Sequence, residues 1–122
     1  MISDSFQFAK DSQAKTRFLS TTALALNTPE TIFSSGSNIN GAVVDYIAAY
    51  SANAGAGTLA FTIGSSAPAA WNSQHAILAK VVSSTAELNS ARPIFIPAGL
   101  GLYVISAIAE SQGYRSVGYT LL

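Results

Sequence analysis

From Thr22 onward, short apolar runs alternate with clusters of Gly, Ser, Asn and Pro. That spacing belongs to strands joined by turns, as in a sandwich or barrel, rather than to helices alternating with strands. Eight runs stand out: Thr22 to Asn27, Thr31 to Ser35, Ala42 to Ala52, Thr58 to Ile63, Ala76 to Ser83, Arg92 to Ile96, Leu102 to Ala109 and Ser116 to Leu121. The period-two pattern is clearest in the fourth, where Leu59, Phe61 and Ile63 share one face and Thr58, Ala60 and Thr62 the other. The first of these faces is expected in the core. In the third run Asp45 shares a side with Val43 and Ile47, and an unpaired buried carboxylate is costly, so Val44 and Tyr46 are expected to point inward. The seventh run is apolar on both faces, as in a central strand or one whose outer face meets a neighbour.

The breaks carry ordinary turn chemistry. Ser34 to Asn38, Asn53 to Gly57 and Gly64 to Pro68 supply residues that tolerate positive φ or bond to their own backbone, and Pro97-Ala98-Gly99 reads as a hairpin turn between the sixth and seventh runs, with Pro at its first central position. The stretch Ala69 to His75, with the sole tryptophan, Trp71, reads as a loop. Residues 1–20 differ from the rest. They hold half of the lysine and arginine together with Phe6 and Phe8, which divides the chain into an N-terminal arm, 1–20, and a β-domain, 21–122. Either the arm's aromatics fold back on the parent core, or the arm inserts Phe6 and Phe8 into a neighbouring subunit while Lys10, Lys15 and Arg17 meet acidic groups there.

Composition narrows the function. In 122 residues there is room for one core, and the 49% hydrophobic content is enough to fold. Only 10% of the residues are Asp, Glu, Lys or Arg, six acidic against six basic, where an average soluble domain carries about 25%. A net charge of zero removes the attraction that nucleic acid or an anionic membrane would need, so neither is an expected partner. A surface of Ser, Thr, Asn and Ala also lacks the repulsion that keeps monomers apart, and is expected to be covered by copies of itself or by a larger assembly. The absence of cysteine excludes disulfides, thiolate nucleophiles and thiolate zinc sites. Residues 1–20 contain no apolar run of the signal-peptide kind, and the longest apolar stretches are interrupted before the 18 or so residues a spanning helix needs, so the chain is expected to be soluble.

Candidate chemistry is sparse. Gly55, Gly57 and Ala60 fit the Gly-x-Gly-x-x-Ala letters of a dinucleotide site, but that mechanism needs a helix to follow, and Thr58 to Ile63 reads as a strand. Serine catalysis needs a base, and the single histidine, His75, reads as a surface or strand-edge residue. Asp4, Asp11, Glu30, Asp45, Glu87 and Glu110 are scattered singly, without the local signature of paired-carboxylate hydrolysis or a calcium loop. No catalytic, metal-binding or cofactor-binding residue is assigned, and the chain is not expected to be an enzyme. The best case for ligand binding is aromatic: Trp71 as a stacking platform for a sugar ring, with Tyr50 and Tyr114 near strand ends, against the alternative that Trp71 packs at a sandwich end or an interface.

The C-terminal third, Ile96-Pro97-Ala98-Gly99-Leu100-Gly101-Leu102-Tyr103-Val104, then Gly113-Tyr114 and Val117-Gly118-Tyr119-Thr120-Leu121-Leu122, resembles the end of small jelly-roll proteins from tailed-phage particles. Val43 to Ile47 leading to Asn53, then Thr58 to Ile63, resembles the long strand, asparagine turn and partner strand of that group. The resemblance implies an eight-stranded antiparallel jelly-roll sandwich, assembled as a homotrimer. It implies a virion structural protein, a capsid decoration or cement protein that binds the major capsid protein or another virion protein. Such a subunit would be soluble in the host cytoplasm before joining the capsid surface. The partner-binding residues expected on this reading are Phe6, Phe8, Lys10, Lys15, Arg17 and Trp71. The alternative is a carbohydrate-binding receptor or tail-fibre accessory module. The N-terminal arm has no counterpart in the group.

Overall fold

Leu59, Phe61, Leu102, Val104, Val44, Ile47, Val117 and Leu88 are all withdrawn from solvent, and they come from strands of two different sheets that face each other across one apolar core. The computed structural model describes residues 15–51, 57–71, 75–82 and 88–122. Among these are nine strands: β1 (Thr16–Ser20), β2 (Glu30–Phe33), β3 (Ala42–Ser51), β4 (Gly57–Gly64), β5 (His75–Val82), β6 (Leu88–Ser90), β7 (Ile94–Ile96), β8 (Gly101–Ser106) and β9 (Gly113–Leu121). One sheet has the order β1-β9-β3-β6, with β7 also paired to β3; the other has the order β2-β8-β4-β5. Every pairing is antiparallel. The protein is an all-β, two-sheet sandwich, and none of its described helices is long and apolar enough to cross a membrane.

Seven of the eight apolar runs contain a strand, and the exceptions have local causes. Thr22 to Asn27 is a connection, because the N–H of Leu24 donates to the Glu110 carboxylate (2.9 Å) where a ladder partner would be, and Asn27 turns the chain at φ 57°. The strand that occupies this edge lies earlier: Thr16–Ser20, assigned to the arm by sequence, pairs residue for residue with β9 as β1. The sandwich therefore starts at Thr16. At the other edge β7 covers only Ile94–Ile96, and β6 was not foreseen. Since β9 pairs along the whole of β3, both β6 and β7 must use the opposite edge of β3, β6 against Ile47 to Ala49 and β7 against Ala42 to Val44. Between them lies Pro93, which has no N–H to give to a ladder.

Tyr46 corrects the expected facing of β3. Val44 opposes Tyr119 and Tyr46 opposes Gly118, so Asp45 is an extra residue in β3, a bulge that resets the alternation. Val44 and Ile47 point inward, while Tyr46 lies outside, over Gly118, with its hydroxyl 3.2 Å from Ser116 Oγ. A methyl on Gly118 would come within 2.3 Å of the Tyr46 ring, so the outward tyrosine requires the glycine.

β8 is buried on both faces, as its composition suggests, and the cover comes from within the chain. Leu102 and Val104 join the core, while Tyr103 and Ile105 are buried on the outer side with Ala60 and Thr62. The chain leaves β4 at Gly64, beside Gly101. By Trp71 its N–H donates to Asn27 Oδ1 (2.9 Å), and the N–H of Asn27 in turn donates to Ser106 O (3.3 Å) at the far end of β8. Residues 65–71 therefore lead from one end of β8 to the other.

The turn between β7 and β8 forms, shifted by one position, but it does not make the expected hairpin: β7 pairs with β3 in one sheet and β8 with β2 and β4 in the other, so the turn carries the chain from sheet to sheet. Leu100 N–H donates to Pro97 O (3.3 Å), which makes Pro97 the first residue of the turn and puts Gly99, at φ 84°, in the position that needs glycine. Buried Asn38 holds the turn: its Nδ2 donates to Pro97 O and Leu100 O, each at 2.9 Å, and its own carbonyl accepts from Gly99 N–H at 2.7 Å. Asn38→Ala removes a side-chain donor from two part-buried carbonyls and is expected to cost about 1–2 kcal/mol, read as a lower midpoint in urea unfolding.

Candidate functional site

The outer face of the β1-β9-β3 sheet carries the aromatic side chains that could meet a partner. Alternation from the inward Val117 and Tyr119 puts Tyr114, Ser116 and Gly118 of β9 outward, and from β1 it puts Arg17 and Leu19 outward. Tyr50 and Tyr114 are direct cross-strand neighbours, with ring centroids 5.3 Å apart and planes inclined by 22°. Both are half-buried. They border a depression of about 220 Å³ lined also by Thr21, Gln112 and Gly113. At the opposite end of the same face, around Gly41, apolar side chains stand in solvent: Phe95 is 59% exposed, Ile39 77% and Leu122 44%. Phe95 lies against Gly41, and the Leu122 N–H donates to the Gly41 carbonyl (2.9 Å). Leu19, 55% exposed, stands on β1 of the same face.

Beneath Tyr50 and Tyr114 lies a buried charge cluster. The side chain of Arg115 is fully inside. Its Nε donates to Glu30 Oε1 (2.7 Å), its Nη1 to Glu110 Oε1 (3.0 Å), and its Nη2 to Ser20 Oγ (3.3 Å) and to the Thr22 carbonyl. Ser20 Oγ donates to Glu30 Oε2 (2.7 Å), and Glu110 Oε1 also accepts from Leu24 N–H. Two carboxylates that are 80 positions apart in sequence thus meet on one guanidinium, and each is engaged by it. The chemical work of the cluster is positional: it ties the end of β1, the β1–β2 connection, the start of β2 and the β8–β9 connection together. Gly113 completes it, since a methyl there would lie 2.6 Å from both Arg115 Nη1 and Glu110 Oε1.

Sequence reasoning missed this cluster because it treated the carboxylates singly and began the last run at Ser116. The signal was present, for stepping back by two from Tyr119 and Val117 lands on Arg115, an arginine on the core face. Elsewhere in the core, burial beside Phe33 raises the Tyr119 hydroxyl above its ordinary pKa of 10.0 and keeps it neutral.

Of the residues expected to bind a partner, Phe6, Phe8 and Lys10 lie outside the described residues. Lys15 is exposed just before β1, and Arg17 is exposed on β1 with its Nε 3.4 Å from Ser116 Oγ. Trp71 is half-buried, its N–H bonded to Asn27 near the Ser106 end of β8 in the other sheet, whereas Arg17 lies on β1 of the first. Trp71 is also separated from Tyr50 and Tyr114, which the structure brings together without it. The Gly57 and Ala60 of the nucleotide-like letters lie within strand β4, and His75 opens β5 opposite Ile63. Among the described residues no three of His, Cys, Asp and Glu gather as a metal site.

The fold defines the class of this protein as a two-sheet β-sandwich with an aromatic outer face over a buried arginine. No protein-family profile and no curated protein sequence matches it. Among solved structures it is similar to a protein of Bacillus endospore appendages, which form a family of disulfide-linked pili, at 13% identity and a TM-score of 0.52 over 89% of this chain and 88% of that one. At that identity the likeness is one of fold.

Proposed function

We propose that this chain is a non-enzymatic structural subunit, a jelly-roll protein that decorates and cements the head of a tailed phage as a homotrimer. The observation that carries the assembly reading is the apolar group of Phe95, Ile39 and Leu122 standing in solvent on a chain with only 10% charged residues. Strand order supports the jelly roll. If β6 and β7 are one strand interrupted at Pro93, the sheets become two layers of four, β1-β9-β3-β6/β7 and β2-β8-β4-β5, joined as two Greek keys. The similar Bacillus protein belongs to pili, which supports a sandwich of this kind as a building block. Without cysteine, the contacts made by this chain would not be disulfide-linked.

Phe6, Phe8, Lys10, Lys15 and Arg17 contact a neighbouring subunit or the capsid shell on this reading; of these, Lys15 and Arg17 are exposed at the start of β1, and Thr16 pairs with Tyr119. Binding only to the assembled shell would stabilise that shell by mass action. Sedimentation of the protein alone and with assembled capsids tests the proposal. The expected result is an oligomer that pellets with capsids, and Phe95→Ser should weaken self-association at least about tenfold while the fold stays intact. A monomer left in the supernatant in both experiments would overturn it.

A further inference from the structure

Carbohydrate chemistry, the alternative that the sequence offered at Trp71, finds better geometry elsewhere. We propose that the depression between Thr21, Tyr50, Gln112 and Tyr114 binds a neutral pyranose ring at the end of an oligosaccharide. The site does not rest on the assembly reading, because it lies at the end of the sheet face opposite Phe95 and Gly41.

The lining fits that ligand class. Tyr50 and Tyr114 stack on each other, and the outer face of this half-buried pair is an aromatic wall against which the C–H face of a pyranose packs. Thr21 supplies a hydroxyl that can both donate to and accept from sugar hydroxyls, and Gln112, already engaged within the chain, adds a polar side chain to the rim. Among the described residues no charged side chain lines the depression, which favours a neutral sugar over a sialic or uronic acid. Its volume of about 220 Å³ falls below the roughly 300–1,000 Å³ of pockets for larger ligands, so it accepts one ring and leaves the rest of the chain in solvent.

The buried arginine supplies the second, independent reason. Placing Arg115 with Glu30 and Glu110 in the interior is costly compared with apolar side chains of the same volume. What the cluster fixes is the rim of this depression. Arg115 bonds to Ser20 and to the Thr22 carbonyl, the two residues flanking Thr21. Glu110 and Gly113, packed against the same guanidinium, bracket Gln112. The two connections that carry the polar groups of the site are thereby held rigid against the strands that carry its aromatic groups, which is the support a preorganised binding site needs.

Saturation-transfer difference NMR with maltotriose, cellotriose, the N-acetylglucosamine trimer and lactose tests the proposal. At least one of these sugars should receive saturation on the C–H face of a terminal ring. Tyr114→Ala and Tyr50→Ala should each weaken binding about tenfold, and Thr21→Val, on the exposed rim, severalfold with an unchanged melting temperature. Trp71→Ala should leave binding as it was. The proposal is overturned if no sugar in the panel binds at millimolar concentration, if binding survives in the Tyr50→Ala/Tyr114→Ala double variant and in Thr21→Val, or if it is lost with Trp71. It is equally overturned if the tyrosine variants change only the sedimentation behaviour, since the wall would then be a contact between copies.

Discussion

Replacing Arg115 with alanine is expected to remove about 3–5 kcal/mol of stability, because it leaves two glutamates at a buried position without their counter-charge. A domain of this size has only about 5–15 kcal/mol in hand, so the variant should melt on the order of 15 °C lower. The direction of the effect depends on which groups remain. Arg115→Met combined with Glu30→Gln and Glu110→Gln removes the charges together and should recover much of the loss, since a matched apolar or neutral replacement avoids the cost of an unpaired charge. Urea unfolding of the single and triple variants measures both. A single variant within about 1 kcal/mol of the parent would show that Glu30 and Glu110 find other partners and that the cluster does not hold the connections around it.

Gly101→Val is expected to be comparably damaging for a steric reason. Gly101 has an ordinary backbone conformation, so its value lies in close approach. A Cβ there would stand 2.7 Å from the Ser35 nitrogen, 2.8 Å from the Phe33 carbonyl and 2.5 Å from the Tyr103 hydroxyl. Two of those atoms are backbone and cannot rotate away. Valine would have to push β2 and the Ser35–Ser37 turn off β8 or expel Tyr103 from its buried place, at a cost of more than about 3 kcal/mol. Thermal unfolding followed by near-ultraviolet circular dichroism would detect both the lower midpoint and the altered tyrosine environment. A melting temperature equal to that of the parent would mean that this approach relaxes freely.

These two positions show how far local reading reaches. The glycine before Leu102 was visible as part of a strand start, and so was the turn before it, because turn chemistry and period-two alternation are properties of neighbouring residues; that this turn changes sheets instead of closing a hairpin was not. Which atoms press on Gly101 was not visible, since Phe33 and Ser35 come from more than 60 positions away. Arg115 is the harder case. Its strand face could be inferred by counting back from Val117, but an arginine on a core face is plausible only when its partners are known, and Glu30 and Glu110 belong to other parts of the chain. The arm boundary failed for a related reason: Thr16–Ser20 has little apolar character of its own, and it becomes a strand because β9 offers it an edge. Tyr46 was misplaced because alternation was counted through Asp45, and a bulge is fixed by the partner strand's register rather than by the residue that forms it.

The sequence by itself determined an all-β domain, most of its strands and turns, and a low-charge surface without cysteine chemistry, all of which follow from composition and from interactions between residues close along the chain. Tertiary structure alone decided that Arg115 gathers Glu30, Glu110 and Ser20, that Tyr50 and Tyr114 stack without Trp71, and that the turn at Pro97 carries the chain from one sheet to the other. Those arrangements arise from antiparallel pairing between distant strands, where register and sheet order set which side chains meet.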